Sequence, residues 1–134
     1  MSIIKALRHW PVIIMFSALI ACSSVPKEIE TLDTSVLAYE RAMRWGEFVI
    51  AKSFHKNSPE LEDLERRRLK HYRISSYKMI NQRTPDLRNA HTVVEIKYYK
   101  STRPVIKTMT VKQHWKYDEK TELWYVDSKF PIFK

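Results

Sequence analysis

The chain has 134 residues, with 24 Lys and Arg against 15 Asp and Glu, a formal charge of +9, and 44% hydrophobic and 12% aromatic residues. That length supports one domain with a single small core, and a composition this apolar and aromatic belongs to a folding chain. One cysteine excludes an internal disulfide and a thiolate zinc site, and one glycine excludes glycine-rich phosphate loops.

Residues 1–10 carry Lys5 and Arg8 and no acid, and the apolar run Pro11 to Ala21 stops at Cys22-Ser23-Ser24. Such a run spans about 16 Å as a helix, half of a bilayer core, so it reads as a secretory leader and not as a membrane span. Ordinary cleavage after Ala21 wants a small residue three positions before the cut, where Leu19 is large. Leu19-Ile20-Ala21-Cys22 resembles the lipobox of bacterial lipoproteins, in which the cysteine is lipidated and the chain is cut just before it. The resemblance implies acyl chains, palmitate among them, on Cys22, each buried methylene contributing about 0.8 kcal/mol. Ser23 in place of Asp after the cysteine resembles the sorting pattern of Gram-negative outer-membrane lipoproteins. Loss of residues 1–21, Lys5 and Arg8 included, leaves 113 residues and a formal charge of +7.

Residues 22–33 are expected to be the lipidated cysteine and a polar tether, followed by one α+β domain over 34–134. Asp33 or Thr34 can cap a helix from Ser35, with Val36, Leu37, Tyr39, Ala42 and Met43 at helical spacing. Gly46 breaks it, Phe48 to Phe54 form a second short helix, and Ser58-Pro59 opens a third. The third runs through Leu61, Leu64 and Leu69, with Arg66, Arg67, Arg68 and Lys70 in its last turns, where cations suit the macrodipole. Strands follow at Tyr72 to Gln82, His91 to Lys100, Val105 to Tyr117 and Leu123 to Ser128. Three helices and then four antiparallel strands predict helices packed on one face of a curved sheet.

The middle hairpin has a readable register. Pairing Lys100 with Val105 sets Val94 opposite Val111, Ile96 opposite Met109 and Tyr98 opposite Lys107 on one face. The other face pairs His91 with His114, Val93 with Lys112, Glu95 with Thr110 and Lys97 with Thr108. One face is apolar and the other polar, and a one-residue slip mixes them. In the last hairpin either Leu123 with Tyr125 or Trp124 with Val126 is the buried pair.

The segment Leu37 to Gly46 and the closing Lys116-Tyr117-Asp118 through Trp124-Tyr125 resemble small proteobacterial lipoproteins of the nuclear-transport-factor-2-like (cystatin-like) fold, over about residues 34–130. That resemblance implies the fold. The fold's members include isomerases, dehydratases and binding domains with a pocket between helices and sheet, and none of their catalytic motifs can be placed here.

Candidate chemistry is sparse. Arg66, Arg67, Arg68, Lys70 and Arg73, with His71 among them, are candidates for contact with an anionic partner, their ordinary role being a solvated helix end. Nucleic acid is disfavoured for an exported lipoprotein. His91 and His114 are expected as cross-strand neighbours, a weak acid sensor or simply a wet sheet face, and too few ligands for a metal. Asp127 and Glu95 are the carboxylates available for acid–base work. Tyr39, Trp45, Phe48, Phe54, Tyr98, Trp115, Tyr117 and Trp124 line either a pocket or the core. The expected function is a non-enzymatic, outer-membrane-anchored periplasmic domain that binds a protein partner or envelope component, without metal or cofactor. The alternatives are a pocket domain of isomerase or hydrolase type, and a structural subunit of an envelope machine. An exposed sheet edge leaves a homodimer open.

Overall fold

Leu32, Val36, Tyr39 and Met43 recur at helical spacing and are all buried, and this stripe forms the inner face of the first helix, α1 (Lys27–Arg44). The computed structural model describes residues 24–134. The leader 1–21 and Cys22 lie outside the described residues. After α1 come α2 (Phe48–Ser53), α3 (Asp63–Leu69), β1 (Tyr72–Arg83), β2 (Asn89–Lys100), β3 (Arg103–Asp118) and β4 (Leu123–Val126). The class is α+β, as the sequence predicts. No helix among the described residues is long and apolar enough to cross a membrane.

The helix α1 starts earlier than expected, so the polar stretch before Asp33 is not all tether. Pro26 stands at its N-cap, where its carbonyl accepts from Ile29 N and Glu30 N at 3.0 and 3.2 Å. Proline suits that end, and Glu28 and Glu30 complement the helix dipole there. Burial of Leu32 and a hydrogen bond from the Trp124 indole to the Glu28 carbonyl (2.9 Å) hold these turns to the domain. Asp33 and Thr34 do not cap: Asp33 accepts from Gln82 Nε2, and Thr34 donates back to the Glu30 carbonyl. At the other end Gly46 takes φ +71°, Gly46 N–H bonds to the Met43 carbonyl and Glu47 N–H to Ala42, a Schellman stop. Helix α3 also departs from expectation, starting at Asp63 with Glu62 at its N-cap, so Pro59 precedes the helix and lies outside its first turn.

The sheet order is β1-β2-β3-β4, every pair antiparallel. It is curved and unclosed, with register shifts in β1 between Ile74 and Ser76 and between Met79 and Asn81. Ala90, Thr92, Val94, Ile96 and Tyr98 of β2 face the helices and are buried, while their odd-numbered neighbours face outward. The expected hairpin register holds from Asn89↔Lys116 to Tyr98↔Lys107. The tip differs: a shift after Tyr98 pairs Lys100 with Arg103 and leaves Ser101-Thr102 as a two-residue turn. Neither Ser101 nor Thr102 has a positive φ, so this turn is not of the primed type that matches strand twist, and Ser101 N–H is fixed on the His71 carbonyl at 2.7 Å. In the last hairpin Trp124 and Val126 are the buried pair.

Beyond β4 the chain folds back under the helices. Phe133 is fully buried against Phe48, Tyr72 and Tyr98, with ring centroids 5.4, 5.6 and 5.0 Å away. Buried polar groups in the core are mutually satisfied: Thr92 donates to Gln113, Trp115 Nε1 to Thr92, and Gln113 Nε2 to Tyr77. No buried side-chain nitrogen or oxygen among the described residues lacks a partner.

Candidate cationic contact site

The basic run straddles the end of α3 and the start of β1, and each arginine is aimed by a backbone carbonyl. Arg66 Nε donates to Leu61 O (3.0 Å), Arg67 Nε to Asp63 O (3.3 Å), and Arg73 Nη1 to Lys70 O (2.6 Å) and Tyr72 O (3.0 Å). Arg68 is structural: its Nη1 donates to Phe133 O at 2.7 Å and its guanidinium lies over the Tyr72 ring. None of the five forms an ion pair among the described residues, although Glu62 stands at the N-cap of α3 and Asp63 and Glu65 lie in its first turn. A carbonyl partner fixes a guanidinium's direction while leaving its charge uncompensated. Arg66, Arg67, Lys70 and Arg73 are exposed.

The antiparallel pairing of β1 with β2 brings more cations to this end. Tyr72 pairs with Lys100, and the hairpin tip adds Arg103 and Lys107. Lys107 Nζ donates to the Lys134 carbonyl at 2.7 Å. The end lies far from the start of α1. Lys27 pairs with Glu122 at 2.8 Å beside the β3–β4 turn, whereas Gly46 and Glu47, just past α1, line a groove with Arg66, Arg67 and Lys70. The 18 residues of α1 separate the two ends by about 27 Å.

That groove, of about 700 Å³, runs between α2 and α3. Phe48, Val49, Ile50, Leu61 and Leu69 supply its apolar part, and Asp63, Arg66, Arg67 and Lys70 line it from the α3 side with Glu47 before α2. Phe48 and Ala51 are the buried face of α2, which forces Val49 and Ile50 outward, 55% and 52% exposed. Sequence reading placed these residues on a helix without asking which of them the short helix could bury. Two adjacent β-branched residues beside an inward Phe were the available signal.

The histidine pair forms as expected, on the open face of the sheet. The rings of His91 and His114 stack with centroids 4.5 Å apart at 7°. His114 O accepts from Asp127 N, so its backbone faces β4, and His91/His114 is a non-hydrogen-bonded pair in which side chains approach closely. Burial, His91 and Lys116 all hold the His114 pKa below its ordinary value, with Asp127 pulling the other way. Asp127 is committed as a carboxylate, bound to Lys116 at 2.7 Å and to Asn57 at 2.6 Å, which keeps its pKa low. Glu95 lies in mid-strand opposite Thr110. No group of three His, Cys, Asp or Glu among the described residues is placed to hold a metal.

The interior between helices and sheet is occupied. Trp115 and Tyr39 meet edge to face at 5.7 Å, Phe54 meets both, and Phe133 fills the far end. Of the expected aromatic set, Trp45 alone is far from the core, 79% exposed after the end of α1. Sequence reading missed the polar hinge of this core. Tyr39 Oη and His55 Nε2 lie 3.0 Å apart, and His55 Nδ1 is 2.7 Å from the Ser128 carbonyl. Since a carbonyl only accepts, Nδ1 carries the proton and Nε2 accepts from the tyrosine. Compared with protein-family models, curated proteins and solved structures, the chain matches none.

Proposed function

We propose that this chain is a non-enzymatic, lipid-anchored domain of the outer membrane, held by acylated Cys22 and facing the periplasm, with a nuclear-transport-factor-2-like fold. Its cationic end meets a protein partner or another anionic component of the envelope. The observation that carries the binding reading is the set of exposed arginines aimed by backbone carbonyls, with exposed Lys70 among them, all unpaired with acids among the described residues. Uncompensated charge held in fixed directions costs stability through self-repulsion and favours an anionic contact. The filled interior weighs against a ligand pocket or active site, because Tyr39, Trp115, Phe54 and Phe133 occupy the space that a substrate would need. The order of three helices and four antiparallel strands supports the fold assignment.

The test is crosslinking in intact cells, purification of the tagged chain, and mass spectrometry of partners and of the N-terminal peptide. The reading expects a peptide that begins at acylated Cys22, and a stoichiometric partner that Arg67→Glu with Lys70→Glu removes. An unmodified Cys22 ends the anchor reading. A small molecule retained without any protein or envelope partner ends the binding reading and returns weight to a pocket.

A further inference from the structure

We infer that the α2–α3 groove is the docking site for an amphipathic helix of a partner protein, acidic along the flank that lies against α3. This rests on the proposed binding function and names the partner's chemistry. The groove's apolar residues need an apolar ligand: Val49 and Ile50 are half exposed, and Phe48, Leu61 and Leu69 lie beside them. A hydrophilic glycan offers nothing to that surface. An amphipathic helix lays an apolar stripe with anchors at i, i+3 or i+4, and i+7 into such a groove.

Charge selects the helix. Along α3 the rim carries Arg66, Arg67 and Lys70, whose side chains have no acid partner among the described residues. Asp63, at the start of α3, and Glu47, before α2, are the groove's two carboxylates. Acids on the ligand's α3 flank meet the three cations beyond the first turn of α3, and basic residues suit Asp63 at that turn and Glu47 opposite.

Position favours protein over the chain's own membrane where α1 stands along the membrane normal. Five backbone steps join Cys22 to Lys27 and reach at most about 18 Å, while α1 carries the groove about 27 Å towards the opposite end of the domain. A domain standing upright on this anchor holds Arg66, Arg67 and Lys70 clear of the headgroups, and the apolar lining of the groove favours a protein helix over a lipid headgroup.

The decisive experiment places the photo-crosslinker p-benzoylphenylalanine at position 50, in the groove, and separately at position 123, at the tether end. The full chain is irradiated in its native cells and the adducts are sequenced. Ile50 and Leu123 are both largely exposed, so neither change empties the core. Docking predicts a protein adduct from position 50, absent from position 123, whose crosslinked segment is acidic with apolar residues at helical spacing. A synthetic peptide of that segment should bind the purified full chain at least tenfold more weakly after Ile50→Glu, and more weakly as salt rises. A lipid or glycan adduct at position 50, or none, overturns the inference. If position 50 is silent while a partner is still lost with Arg67→Glu and Lys70→Glu, the cationic binding function stands and the groove assignment falls. If that charge reversal removes no partner, both fall.

Discussion

At the scale of single residues, His55 is the group with the most at stake. It is buried and, in its neutral form, donates from Nδ1 to the Ser128 carbonyl and accepts from Tyr39 at Nε2, whereas a second proton would place a charge in the core with no acid beside it. Burial lowers its pKa, with Lys52 adding to the effect and the Ser128 carbonyl opposing it. A histidine whose folded pKa lies below its unfolded one gives its full stability above about pH 6.5 and loses it as pH falls through that value towards the folded pKa. His114 has the same sign of shift, since burial and His91 both disfavour its proton. Thermal melts should therefore show a lower midpoint at pH 5 than at pH 7.5. His55→Gln should lower stability at pH 7.5 by about 1–3 kcal/mol, the cost of disturbing buried partners, and should flatten the acid slope. A variant with an unchanged slope would show that His55 does not carry it. The His91–His114 contact was legible in the sequence because strand register alone creates it. His55 was not: its partners lie 16 and 73 residues away, brought in by α1 and by the chain after β4.

Among the elements, the β2–β3 hairpin was the most legible, because alternation over ten consecutive pairs leaves only one register with an apolar face. Its tip was not, since the shift there moves the register by two residues and so leaves the inward–outward alternation unchanged. The start of helix α1 was not legible because Leu32 is the one buried residue before Ser35 among the described residues, too little for a periodic signal. The hairpin also exposes a free edge. Strand β4 covers β3 only from Trp115 to Asp118, and no backbone partner within the described residues meets the outer side of Thr108 to Lys112. Because His114 turns its backbone towards β4, the even-numbered residues before it turn theirs to the open side. Amide hydrogen exchange should alternate accordingly: Thr108, Thr110 and Lys112 exchange fast, and Met109, Val111 and Gln113 slowly, by a hundredfold or more. Uniform protection along Thr108 to Gln113 would mean that another strand pairs with this edge, as in a dimer.

Across the whole molecule, the final residues clasp the two layers together and carry the cationic end with them. The groove was illegible in the sequence because it depends on where α3 lies against α2, and this tail helps to set that placement. Phe133 packs on α2 through Phe48, on β1 through Tyr72 and on β2 through Tyr98, while its carbonyl takes the Arg68 hydrogen bond that ties α3 down. Removing a fully buried phenylalanine costs about 3–5 kcal/mol in lost transfer energy and cavity formation. Set against the 5–15 kcal/mol that holds a typical domain together, Phe133→Ala should leave the fold marginal. For a domain near 100 residues each kcal/mol is worth about 4–8 °C, so the midpoint should fall by at least 12 °C. Arg68→Lys separates the clasp from the core. It keeps the charge but gives up the guanidinium's planar contact with Tyr72, so it should cost far less stability than Phe133→Ala. If Arg68→Lys left stability almost unchanged yet weakened partner capture as much as Arg67→Glu with Lys70→Glu does, Arg68 would belong to the contact surface. The geometry predicts the reverse order, with capture nearly intact, because its Nη1 is already spent on the Phe133 carbonyl. A Phe133→Ala chain that melts within a few degrees of the parent would show that the tail lies on the surface and does not hold α3 in place.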